Sequence, residues 1–183
     1  PSNSGGTGHT GTVALGSTLT VAEGSWADGG ATITGTTYQW ESSSNGSTWS
    51  AIAGATSSTL SLGTSDIGKY FRVKVTKTNS VGSTTATGTA SAIVPDTRLT
   101  NVAISSGTLT PSFASGTFSY TASVDTSVAS ITVTPTSAGG TITVNGTAVT
   151  SGQASGAISL SLGSNTVTIV VTASSVSTTT TLT

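Results

Sequence analysis

Phe71-Arg72-Val73-Lys74-Val75 alternates apolar and cationic side chains without interruption. A period of two sends Phe71, Val73 and Val75 to one face and Arg72 and Lys74 to the other, which predicts a strand with a dry side and a wet side. Parallel sheets are covered on both faces, whereas antiparallel sheets tolerate water on one, so the wet face predicts antiparallel pairing. Outward from this point, short strand-like runs recur at residues 13–15, 19–21, 36–40, 59–62, 70–76 and 90–94, separated by Gly, Asn and Ser. Each run is too short for a stable helix, and turn residues interrupt every one.

Val94-Pro95-Asp96-Thr97 closes this set, because proline ends a strand and biases the residue before it to extended geometry. The pattern then restarts at residues 99–104, 118–124, 130–134, 141–144, 157–162, 166–172 and 177–182. Asn145-Gly146 between Ile142/Val144 and Ala148/Val149 is the strongest short hairpin signal in the chain. Short strands in this number are what a β-sandwich of ordinary size requires. The expected organisation is a flexible Gly/Ser/Thr-rich arm or linker at 1–11, one sandwich at 12–95 and a second at 96–183.

Charge is scarce. A soluble domain carries about 25% charged residues, and this 183-residue chain carries 6%, with a formal net charge of −1. From Thr97 onward the only charged side chains are Arg98 and Asp125. Such a balance offers nothing to a polyanion, so nucleic acid is not an expected partner. Disorder needs low hydrophobicity together with high net charge, whereas 34% of this chain is apolar, arranged in short runs. Zero cysteines remove disulfide and thiolate–metal readings together. Neither an apolar run long enough to span a membrane nor a charged segment followed by an apolar stretch is present. With Pro1 in first position, the expectation is a mature, processed or excerpted product.

Tyr38-Gln39-Trp40, Trp49, residues 52–56, Asp66-Ile67-Gly68-Lys69-Tyr70 and Val73-Lys74-Val75-Thr76, followed by Asn79 and Gly82, occur in that order. This series resembles the bacterial immunoglobulin-like repeat over residues 12–94. The resemblance implies that Trp40 is the buried tryptophan of strand C and that Asp66-x-Gly68-x-Tyr70 is the turn into strand F. Parity sets Tyr70 on the face opposite Phe71. In the second half, residues 99–104, residues 107–113, Tyr120, Ile131-Thr132-Val133-Thr134-Pro135, Val144-Asn145-Gly146, Gly152 and residues 162–167 resemble the bacterial cadherin-like β-sandwich repeat over 98–183. The two resemblances together imply an all-β protein of two tandem immunoglobulin-like antiparallel β-sandwiches, extracytoplasmic and built as modules of surface or secreted proteins. They do not imply calcium between repeats, which needs clustered carboxylates where this unit has Asp125 alone.

Few side chains could carry chemistry. His9, in Gly8-His9-Thr10-Gly11, reads as an exposed loop residue, and a metal would need a second His or Cys beside it. Glu23, Asp28, Glu41 and Asp66 are the acids of the first unit, and a glycosidase needs two carboxylates about 5–9.5 Å apart across a cleft. Asp66 reads instead as a turn former, bonding backbone two residues on. A serine nucleophile needs a base in reach, and only His9 could serve. No catalytic, cofactor-binding or metal-ligating residue is therefore assigned. Lys69, Arg72, Lys74 and Lys77 read as a solvated strand face. Trp26 and Trp49, with Tyr38, are the aromatics whose flat rings could stack on sugars; the competing role for Trp26 is to cover one end of the core with its indole N–H on a carbonyl. Asn45-Gly46-Ser47 and Asn145-Gly146-Thr147 match the glycosylation acceptor pattern, and both also read as turns.

The expected function is that of a non-enzymatic structural or adhesive protein, a tandem β-sandwich spacer or filament subunit on a bacterial surface. The alternatives are a phage virion tail or decoration protein and a carbohydrate-binding module contacting its ligand through Trp26 and Trp49. The expected partners are further copies or neighbouring domains in an array, since the second half has no lysine to blunt its sheet edges and the 1–11 arm could add to a neighbour's edge. The expected location is extracellular or cell-surface, alternatively the virion.

Overall fold

The stretch at 71–75 lies inside the longest strand of the computed structural model, which describes residues 1–183 throughout and divides into Pro1–Pro95 and Asp96–Thr183. The first unit contains β1 (Ser2–Gly5), β2 (Gly8–Thr10), β3 (Thr18–Ala22), β4 (Ser25–Ala27), β5 (Gly35–Ser43), β6 (Ser50–Ala51), β7 (Thr59–Ser61), β8 (Tyr70–Asn79) and β9 (Gly82–Thr87). One antiparallel sheet runs β6-β5-β8-β9, a second runs β2-β3-β7, and β1 pairs with β4. Trp40, Phe71, Val73 and Val75 are wholly buried, and Leu19 of the three-stranded sheet packs in the same cluster. Trp40 stands opposite Val73 in register, and its indole N–H donates to the Ser57 carbonyl at 3.0 Å. A large aromatic can therefore be buried without an orphaned donor.

Residues 1–11 are not a linker. They form β1 and β2, which pair with β4 and β3. The segment has no apolar period, and its strands exist because partners hold them. Glycine is what the geometry requires: a Cβ on Gly88 would stand 2.8 Å from the Gly8 Cα, so only bare backbones can approach so closely. Residues 13–15 form a turn rather than a strand, with Ser17 N–H on the Ala14 carbonyl at 3.1 Å. Residues 90–94 are also irregular, although they remain bonded alongside β8. Ser91 N–H donates to the Phe71 carbonyl (2.7 Å), while the Phe71 N–H donates to the Ser91 hydroxyl (2.8 Å), so a side chain stands in for the carbonyl that a regular ladder would supply.

The second unit contains β10 (Leu99–Ile104), β11 (Ser119–Tyr120), β12 (Ser130–Ile131), β13 (Val133–Ser137), β14 (Thr141–Val144), β15 (Thr147–Val149), β16 (Ile158–Ser159), β17 (Val167–Ala173) and β18 (Val176–Leu182). Its main sheet runs β11-β18-β17-β14-β15, with β11 parallel to β18 and the other neighbours antiparallel; β10 pairs with β13 and β12 with β16. Val167, Ile169 and Val171 point inward from β17 against Ile142, Val144, Val102 and Tyr120, a period of two filled by β-branched residues. Fully burying such a side chain contributes about 1.5–3 kcal/mol. Asn145 and Gly146 have φ of 48° and 80°, the double positive φ that a two-residue hairpin turn demands. The run at 130–134 is split, because β12 and β13 pair with different partners, and the run at 118–124 pairs as a strand only at Ser119–Tyr120.

Candidate functional site

The outer face of β5 and β8 carries one charge cluster of the first unit. Glu41 stands opposite Arg72 in register and is 5% exposed. Its carboxylate accepts from Arg72 Nε at 2.7 Å and pairs with Lys74 Nζ at 2.6 Å. Burial pushes the Glu41 carboxyl up, but hydrogen bonds and charge from Lys74 and Arg72 outweigh it and hold the group below its ordinary range. Arg72 also lies over the Trp49 ring, 4.3 Å from the centroid, a cation–π contact. Trp49 is therefore half-buried, with one face of its ring occupied by Arg72.

A second cluster joins β4, β5 and β8. Glu23 accepts hydrogen bonds from Lys77 Nζ and from the Tyr38 hydroxyl. The Lys77 bond, then the Tyr38 bond, hold the Glu23 carboxyl below its usual range, and the same contact with Glu23 pushes Tyr38 up to about 12. The Glu23 carbonyl accepts from Trp26 Nε1 at 2.8 Å and from the Thr7 hydroxyl at 2.9 Å. Trp26 is half-buried against the core with its N–H on a carbonyl. Arg72 and Lys74 on the outer face and Lys77 on the face shared with Val73 and Val75 all meet carboxylates, rather than standing free in solvent.

The remaining acids hold backbone or a neighbouring cation. Asp28 accepts from Gly30 N–H at 3.1 Å, Asp66 from Gly63 N–H at 2.8 Å, and Asp125 from Ser127 N–H at 2.9 Å. Asp66 therefore bonds three residues back across a short 3₁₀ turn, rather than two residues on. Asp96 takes a two-pronged bond from Arg98, both contacts at 2.9 Å, and is held low by it. No group of three or more His, Asp or Glu side chains is close enough to hold a metal ion.

His9 is not an exposed loop residue. It lies in β2 opposite Val21, with its ring 6.4 Å from that of Trp40 and Nδ1 buried without a partner. Burial lowers its pKa. Asn45 and Asn145 hold turns: Asn45 Oδ1 accepts from Ser47 and Thr48 N–H, and Asn145 Oδ1 from Thr168 N–H at 2.9 Å. Three devices escape sequence reading. Asn79, buried, donates to the Ala31 carbonyl at 2.9 Å and accepts from Val81 and Gly82 N–H. Tyr120 closes its hydroxyl on the Ala114 carbonyl at 2.9 Å. A groove of about 240 Å³ lined by Ile104, Ile131, Val167 and Leu182 together with Ser123 and Asn165 opens in the second unit.

Residues 98–183 match the family model described as a cadherin-like beta sandwich domain. Residues 3–95, just over half of the chain, match a family described as a domain of unknown function (DUF8696). No curated protein matches the chain. The second unit is thus a cadherin-like β-sandwich, and the immunoglobulin-like kinship of the first is not what its matched family states.

Proposed function

From the premise that the chain belongs to the DUF8696 family through residues 3–95 and ends in a cadherin-like β-sandwich, we propose that it is a non-enzymatic spacer or adhesive segment, its first unit an immunoglobulin-like sandwich, working on a bacterial surface. The observation that carries this reading is the employment of the carboxylates. Glu23, Glu41 and Asp96 are each held by a cation, and Asp28, Asp66 and Asp125 by backbone N–H groups. Acids committed in this way hold loops and strands in place; general acid–base work needs a carboxyl free to exchange its proton with a substrate. What remains at the surface is mostly hydroxyl and small apolar side chains, with Val81 and Leu162 the most exposed large apolar groups, which suits spacing and contact by shape.

Labelling intact source cells with an antibody raised against residues 98–183 tests the location. Label on unpermeabilised cells supports the reading; label only after lysis refutes it, and label on released particles moves the same structural role to a virion. A second reading has one observation in its favour: Trp49 is half-exposed beside the Arg72 guanidinium, a ring and donors of the kind that bind sugars. Binding on a glycan array that Trp49→Ala abolishes would establish that contact, with Trp26→Ala as the companion variant.

A further inference from the structure

We propose that the outer face of β5 and β8 binds an acidic sugar, its carboxylate held by the guanidinium of Arg72 and its ring seated against Trp49, as one acidic residue of an otherwise neutral glycan. The inference rests on the sugar-contact reading of Trp49 above and names the chemical class of its ligand. Alternation sends Trp40, Phe71 and Val73 into the core, so Glu41, Ser43, Tyr70, Arg72 and Lys74 stand on the opposite face. In register Ser43 lies beside Tyr70, Glu41 beside Arg72 and Gln39 beside Lys74, which makes three same-face rungs of one patch. Trp49 joins it through the Arg72 contact, and the 44–48 loop borders it where Gly46 meets the Tyr70 ring. The N-terminal segment reaches this sheet through the Thr84 hydroxyl, opposite Lys77 and therefore on the inward face, and makes no bond to the patch.

The donors of this patch are incompletely used. Arg72 gives Glu41 its Nε alone, at 2.7 Å; neither Nη bonds within the chain, and the side chain is 24% exposed. Lys74 takes the other oxygen of the same carboxylate at 2.6 Å and is 38% exposed. The Tyr70 hydroxyl bonds nothing in the chain either. His9 Nδ1 is the one polar side-chain atom both buried and unpartnered, so these free groups face solvent. Two cations on one carboxylate leave the patch one positive charge in excess. The occupant follows from that charge and from the shape of the donors. A guanidinium presents parallel N–H groups that match a carboxylate in a fork, and the Trp49 ring, 4.3 Å away, holds its plane before anything binds. A single excess charge matches a single carboxylate, whereas a polyanion is held by a row of cations and a neutral glycan leaves the fork empty. The apolar body of the Trp49 indole is the surface for the sugar ring, with the Tyr70 hydroxyl and Lys74 beside it for sugar hydroxyls.

Binding of the full-length chain to an array of uronic-acid and sialic-acid oligosaccharides, each printed beside its carboxyl-reduced counterpart, tests the assignment without altering the protein. Heparin and single-stranded DNA on the same array serve as polyanions. At least one acidic oligosaccharide is expected to bind about tenfold or more tightly than its reduced form, as a charge-assisted hydrogen bond implies. Arg72→Lys, which keeps the charge beside Glu41 but not the fork, is expected to bring the acidic form down to the affinity of the reduced one with little change in melting temperature. Acidic and reduced forms bound equally, or Arg72→Lys binding as the wild type does, would overturn the acidic-sugar assignment, while loss of that binding in Trp49→Ala would keep the sugar reading. Preference for heparin or DNA over every singly acidic oligosaccharide would overturn it in favour of a polyanion. Binding of no glycan at all removes the sugar reading of Trp49 and this inference with it.

Discussion

Glu41 is a carboxylate buried on the outer side of a sheet, where Arg72, Lys74 and the chain around Trp49 cover it. Its two cations are 24% and 38% exposed at the side chain, so water screens part of the interaction. Glu41→Ala is expected to cost about 1–2 kcal/mol, between the exposed-pair and buried-pair ranges, read as a lower melting temperature of the first unit alone. The acid response follows from three groups of that unit. His9 prefers its neutral form when folded, with a pKa below the ordinary 6.5; its contribution is complete above pH 6.5 and declines as pH falls toward the lowered value. Glu23 and Glu41 are held below their ordinary 4.5, so the unfolded chain takes up protons first, and their contribution is lost as pH falls below 4.5 through the depressed values. Thermal melts between pH 8 and 3 should show two successive losses in the first unit, and His9→Gln should remove the upper one only.

At the scale of elements, the N-terminal strands decide how the first unit is closed. β2 pairs with β3 and sets His9 beside Trp40, while Gly8 and Gly88 allow the backbones to touch. Deletion of residues 1–11 is therefore expected to lower the melting temperature of the first unit, whereas removal of a linker would leave it unchanged; calorimetry of chain 12–183 measures the difference. The β14-β15 hairpin depends on one dipeptide. Gly146 at φ 80° sits where a side chain costs about 1–2 kcal/mol, so Gly146→Val should destabilise the second unit by that amount in denaturant titrations.

For the whole molecule, each unit has its own hydrophobic cluster, one holding Trp40, Phe71, Val73 and Val75 and the other Tyr120, Val133 and Ile169. Separate cores predict separate transitions. Trp40→Ala should remove about 3–5 kcal/mol, a large fraction of a small domain's stability. The expected scan has the first transition lost or strongly lowered and the second in place. A single cooperative transition that shifts as a whole in the mutant would show that the units do not fold independently.

What the amino-acid sequence determined by itself was everything written in local period and turn chemistry. The alternation at 71–75 set the face of each residue, Asn145-Gly146 set a hairpin and its register, and the apolar runs at 99–104 and 141–144 became strands with those bounds. These signals are local because a period of two and a positive φ are properties of neighbouring residues. Tertiary structure alone decided the rest. β1, β2 and β9 lack an apolar period and became strands because a neighbouring backbone supplied their hydrogen bonds. The run at 90–94 has the composition of a strand but became irregular because Ser91 offered its hydroxyl to Phe71. Lys77 became a partner of Glu23 only when β8 was brought against the segment entering β4. Pairings between groups distant in the chain carry no local signature, so the commitment of the carboxylates was not legible until the strands had found their neighbours.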